Sequence, residues 1–100
     1  MLTHAAIDRR ILGMVLLCVE KIEADERLLT RVWENAERIA DPRIREEWLR
    51  FRTMPWVELK AKLLEDGPDG DQLRQNAPLG GLLSNRERIR FFRPDMEAAQ

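Results

Sequence analysis

The feature that most constrains this chain is the spacing of apolar residues in its first quarter, where Ile7, Ile11, Val15, Cys18 and Ile22 recur at steps of three and four. That rhythm puts all five on one stripe of an α-helix, whereas a strand needs alternation at every second residue. Leu12, Leu16 and Val19 form a second stripe beside it, so the helix predicted over Thr3 to Ala24 is apolar over a wide arc. A helix of that kind belongs at the centre of a bundle, and any surplus apolar surface leaves a homodimer contact open. Thr3 is its N-cap, and Gly13 is a position where another helix can come close.

Beyond Ala24 the chain is cut into short pieces by helix start and stop signals. Asp25 can cap a second helix over Glu26 to Ala40, whose inner stripe is Leu29, Trp33, Ala36 and Ala40. The pair Asp41-Pro42 opens a third, to about Arg52, because Asp accepts from unpaired helix N–H groups and Pro at the first helical position gives up no bond. It carries Ile44, Trp48 and Phe51 inward. Thr53-Met54-Pro55 introduces a fourth helix with Trp56, Leu59 and Leu63 on one face and Val57 and Leu64 beside them. Gly67 reads as the residue that ends it, and Asp71 as the cap of a short fifth helix over Gln72 to Asn76. Ser84-Asn85-Arg86-Glu87 has the S-x-x-E form of a capping box, which predicts a sixth helix from Asn85 to about Arg93, ahead of Pro94. No segment alternates convincingly at period two. The expected fold is all-α, a compact bundle of about five to six short helices in a single domain over residues 1–93, with 94–100 a frayed tail.

Charge and composition narrow the function classes. With 35% charged and 44% hydrophobic residues the chain has the profile of a folded domain, and its net charge of -1 gives no overall pull toward nucleic acid. Fourteen of the seventeen basic residues are Arg, whose rigid fork suits carboxylate, phosphate and aromatic partners, so any basic function is local. The longest apolar run, MVLLCV at 14–19, is far short of the roughly 20 residues that cross a bilayer. Asp8 before it and Glu20, Lys21 and Glu23 after it argue against a signal peptide. The single Cys18 allows no intrachain disulfide and no multi-cysteine zinc site. A reducing, cytoplasmic setting without membrane anchorage is expected.

Catalytic machinery is not legible. The only histidine, His4, lies at the start of the first helix, and no HExxH or Cys/His spacing is present, so no metal is expected. GPDG at 67–70 lacks the spacing and Lys of a phosphate loop, so no nucleotide cofactor is expected either. Cys18 sits on an apolar stripe with nothing nearby to lower its thiol pKa, and the acidic pairs read as solvated helix faces.

Two arginine clusters stand out. RIREEWLRFR at 43–52 interleaves Arg with Trp48 and Phe51, which would suit phosphate contact and base stacking. Helical spacing instead sends the rings inward and leaves Arg43 with Glu47, and Glu46 with Arg50, as i, i+4 pairs on the outside. RERIRFFR at 86–93 is more basic, with Ile89 and Phe92 spaced as an anchor and Arg86, Arg90 and Arg93 free for an acidic partner. Between the clusters, Leu73, Leu79, Leu82 and Leu83 can turn inward around Pro78 and Gly80-Gly81. Arg74, Gln75 and Asn76 then form a displayed polar edge.

NAER at 35–38, EEWLRF at 46–51 and above all LRQNAPLGGLLSNRER at 73–88 resemble a group of small bacterial helical proteins with a tail of the form LRQ-S/N-x-P-F/L-x-G-x-L-S/T-x-x-E-R. The tail pattern falls on Leu73, Arg74, Gln75, Pro78, Gly81, Leu83, Ser84, Glu87 and Arg88, with Leu79 where Phe is common. The resemblance implies an antitoxin-like partner of a nucleotidyltransferase-type protein in a toxin-antitoxin or phage-defence gene pair. Helical RNase-type toxins would need an Arg-x4-His motif, which a chain whose only His is residue 4 cannot contain.

The function expected is therefore that of a non-catalytic protein-binding module that uses Arg74, Gln75, Asn76, Arg86 and Arg88. The alternative is a small nucleic-acid-binding regulator using Arg43 to Arg52 and Arg86 to Arg93. A third reading is an enzyme subunit that completes a shared site with Arg74.

Overall fold

The computed structural model describes the backbone of residues 3–98 and the side chains of residues 3–91. Among them are six α-helices and no strand: α1 His4–Ala24, α2 Leu28–Glu37, α3 Pro42–Arg50, α4 Trp56–Leu63, α5 Pro68–Gln75 and α6 Asn85–Ala98, with a 3-10 turn at Phe51–Thr53. The fold is an all-α bundle. Thr3 caps α1 by accepting the Ala6 N–H at 3.1 Å, and Asp41 caps α3 by accepting the Arg43 N–H at 2.9 Å. Both are the short polar acceptors that helix starts favour.

The central helix serves two clusters at once. Val15 and Val19 pack with Ala36, Trp48, Leu59 and Leu63, while Cys18 and Ile22 pack with Val32, Leu82 and Leu83. Helices α5 and α6 both lie against α1, α2 against α3, and α4 against α5. Gly13 is where α6 closes on α1: a Cβ there would stand 2.8 Å from Phe91 Cε1. The expected surplus on α1 is modest. Ile7 and Leu16 are partly exposed, but nine residues at about 100° each put them on opposite sides, so they do not form one patch.

Several boundaries differ from expectation for local reasons. Asp25 spends its carboxylate on the Arg27 N–H and guanidinium, which makes a turn, so α2 begins at Leu28. It stops at Glu37, because Asp41 must be extended (φ -75°, ψ 116°) to cap α3. Gly67 does not terminate α4, whose last residue is Leu63; it precedes α5 with φ 97°, and Pro68 is the first residue of that helix. Asp71 consequently lies inside α5, not at its cap. At the other end, the backbone of α6 continues past Pro94 to Ala98. Val57 and Ile89, both expected inward, are exposed at 71% and 41%. Phe91 takes the inward position on α6, and Phe92 and Arg93 fall outside the described side chains.

Candidate functional site

The interrupted stretch between α5 and α6 is an ordered elbow tied down at three points. Asn35 on α2 donates from Nδ2 to the carbonyls of Pro78 (3.2 Å) and Gly80 (2.8 Å). Lys21 on α1 donates to the Leu82 carbonyl at 3.1 Å and to Glu87 Oε1 at 2.5 Å. The capping box closes the third point: Glu87 N–H donates to Ser84 Oγ (3.2 Å), and Ser84 N–H donates back to Glu87 Oε1 (2.8 Å). The Lys21 ammonium and the Ser84 N–H together hold the Glu87 carboxyl down to about 2. Gly81 turns the chain at φ 83°, a left-handed conformation that disfavours a side chain, and the Arg31 guanidinium lies over it.

Arg74 is not displayed. It is 6% exposed and its two terminal nitrogens are committed: Nη1 donates to the carbonyls of Leu63 (2.9 Å) and Glu65 (2.8 Å), and Nη2 pairs with Asp71 at 2.6 Å. The fork thus supplies donors to carbonyls left open where α4 ends, a requirement that helix geometry imposes at every C-terminus. Asp71, freed from capping α5, is the counter-charge. A guanidinium so enclosed has no head group to lend to a shared active site. Gly70 is part of the same joint, since a Cβ there would lie 1.8 Å from the Glu65 carbonyl oxygen.

The other expected site residues divide. Gln75 is exposed and donates to Asp8 at 3.1 Å; Asn76 is half-buried and donates to the Gln72 carbonyl at 3.1 Å. Arg86 and Arg88 are exposed, as are Arg31 and Arg90, and the side chains of these four make no hydrogen bond or ion pair with a described residue. Between α1 and the elbow lies a cleft of about 240 Å³ lined by Ile11, Met14, Val15, Cys18, Leu79 and Leu83, with Arg74 and Arg88 also on its walls. Burial pushes the Cys18 thiol up to about 11, only partly offset by Lys21.

The first arginine cluster is organised differently. Trp48 is 1% exposed and meets Phe51 edge-on at 5.2 Å, so its ring is core and not a stacking platform. Arg45 donates to the Ile39 carbonyl at 2.9 Å and Arg52 pairs with Glu37 at 2.8 Å. The pairs Arg43 with Glu47 and Glu46 with Arg50 share the exposed side without closing to ion-pair distance. Among the described residues no three acidic, His or Cys side chains converge as metal ligands, and no helix is long and apolar enough to cross a membrane.

No family model matches the sequence, and it has no significant match among curated proteins or solved structures.

Sequence reasoning overlooked Asn35, Lys21 and Arg31, whose roles arise from contacts with residues more than forty positions away. The S-x-x-E signal was local and therefore visible.

Proposed function

We propose that the protein is a non-catalytic binding module that docks an acidic, partly apolar surface of another protein on the elbow between Arg74 and Arg88. The observation that carries this is a tied-down elbow with an apolar cleft at its foot, Arg88 on the cleft wall and Arg31 over Gly81, both without a side-chain partner among the described residues, with Arg86 and Arg90, likewise unpaired, on the other side of α6. Charges left without partners on a scaffold this well fixed lose little freedom on binding, the condition under which electrostatic complementarity sets partner choice and on-rate. The anchoring of Asn35 and Lys21 supplies the rigidity; Gln75 and Asn76 end α5 ahead of the elbow, and Arg74 supports it from within. A nucleotidyltransferase-type protein from the same gene pair, in an antitoxin-like relationship, is the partner that the tail resemblance suggests.

The test is co-expression with the protein encoded beside it, followed by size-exclusion chromatography. A stable complex that dissociates on Arg86→Glu with Arg88→Glu, in a variant whose helical circular dichroism is unchanged, is the expected result. Failure to co-elute at low salt would remove the reading. Nucleic-acid binding through phosphate contacts is the competing outcome, and it predicts gel shifts whose affinity falls steeply with added salt.

A further inference from the structure

We propose that the cleft between α1 and the elbow takes the ring of one phenylalanine, carried on an acidic segment of the docked partner. This rests on the docking reading above and specifies it. The cleft holds about 240 Å³, room for about eight non-hydrogen atoms at roughly 30 Å³ each. A benzyl group fills that space, whereas a leucine side chain leaves about half of it empty and an indole exceeds it. The walls suit a ring. Ile11, Val15 and Leu83 are apolar, and Met14 adds a polarisable thioether of the kind that packs favourably against aromatic side chains.

Two features of the rim point to a polypeptide and fix its charge. Gly80 and Gly81 both line the cleft and are exposed, and their N–H groups donate to no described residue. A second backbone can approach closely where no side chain intervenes, and its carbonyls match those open donors. Arg88 stands on the cleft wall and Arg31 reaches from α2 over Gly81, neither with a side-chain partner among the described residues. Cations from two different helices thus flank one turn. An Asp or Glu on each side of the phenylalanine meets them, which is the usual division between a buried aromatic anchor and a charged rim. A free aromatic acid would fill the walls but leave the glycine donors unmatched.

The experiment titrates the full chain, labelled with 13C-methyl methionine, with the end-capped peptide Gly-Glu-Phe-Glu-Gly, because Met14 lines the cleft and Met54 packs in the Trp48 cluster away from it. The peptide is expected to shift the Met14 methyl saturably and leave Met54 in place. Replacing its Phe by Ala should weaken binding about tenfold or more, the cost of leaving the cleft unfilled, and Leu should fall between them. Replacing both Glu by Gln should weaken it about fivefold at low salt, the scale of exposed charge pairs. Arg31→Gln with Arg88→Gln should abolish that Glu-over-Gln preference, and both arginines are exposed, so the fold is kept. Gly80→Ala is a second fold-preserving variant, since its new Cβ would come no nearer than 3.9 Å to Asn35 Nδ2, and it should weaken every peptide severalfold by blocking the backbone approach. The proposal is overturned by an unmoved Met14, by equal binding of the Glu and Gln or the Phe and Leu peptides, by parental affinity in Gly80→Ala, or by hydrocinnamate binding as well as the peptide. Any of these together with co-elution of the neighbouring protein removes the phenylalanine anchor and leaves the docking reading standing.

Discussion

Lys21 and Glu87, sixty-six positions apart, meet at 2.5 Å, and the same ammonium also holds the Leu82 carbonyl at 3.1 Å. One lysine of the first helix therefore secures both the turn before α6 and the carboxylate that caps it. The contact is long-range, but it completes a local motif whose other half, Ser84, lies three residues from Glu87.

This arrangement has a pH signature. The Glu87 carboxyl titrates at about 2 in the folded chain against an ordinary value of 4.5. A depressed folded value means that its stabilisation is complete above 4.5 and disappears as pH falls through about 2. Glu87→Gln should therefore be less stable than the parent at neutral pH, with the gap closing as the solution is acidified. Urea denaturation across that range checks it; a gap independent of pH would contradict the assignment.

Replacing Arg74 tests its role as a structural clamp. Arg74→Met leaves the Leu63 and Glu65 carbonyls without their donor and Asp71 without its partner, a loss of about 2–5 kcal/mol. Against a total of about 5–15 kcal/mol for a domain this size, that is a large fraction. Arg74→Lys should rescue little, since an ammonium lacks the fork that reaches three acceptors. Equilibrium unfolding of the two variants measures both statements.

The glycines should rank by what surrounds them. Gly70→Ala places a Cβ 1.8 Å from a backbone carbonyl oxygen, so the α4–α5 joint must open and this variant should be the least stable. Gly81→Ala combines φ 83° with a Cβ 2.8 Å from a flexible Arg31 nitrogen and should be intermediate. Gly67→Ala has φ 97° but open space, so it should lose only the left-handed penalty of about 1–2 kcal/mol. Melting temperatures of the three variants give the order directly.

Cys18 should resist thiol reagents in the native state. Burial raises its thiol to about 11, so the reactive thiolate is scarce at neutral pH. Labelling by a disulfide reagent should proceed at the rate of unfolding and become fast in denaturant. Rapid labelling of the folded chain would show that α1 opens far more readily than its packing implies.

What could be read in the sequence was whatever acts within a few residues. Thr3, Asp41-Pro42 and Ser84-x-x-Glu87 announced their helices because capping is a bond between near neighbours, and the stripe through Val15, Cys18 and Ile22 announced the core. Arg74 was misplaced for the opposite reason: a polar run next to Gln75 and Asn76 looks like surface, and only the carbonyls of Leu63 and Glu65 reveal why a guanidinium is needed inside. Gly70 gave no signal, since its restriction is a carbonyl five positions back that approaches only once α5 is docked. In the candidate site, Arg86 and Arg88 could be identified as exposed cations, whereas the cleft beside them required α1 to be in place.

The seat of Phe91 against Gly13 has a consequence for how the chain comes into being. In synthesis α1 precedes α2, α3 and α4, which supply part of its cover, but the Gly13 face is closed only by α6. Until α6 has been made, that face of α1 stays uncovered, available to chaperones and to other nascent chains. Final closure must therefore wait until synthesis has passed residue 91.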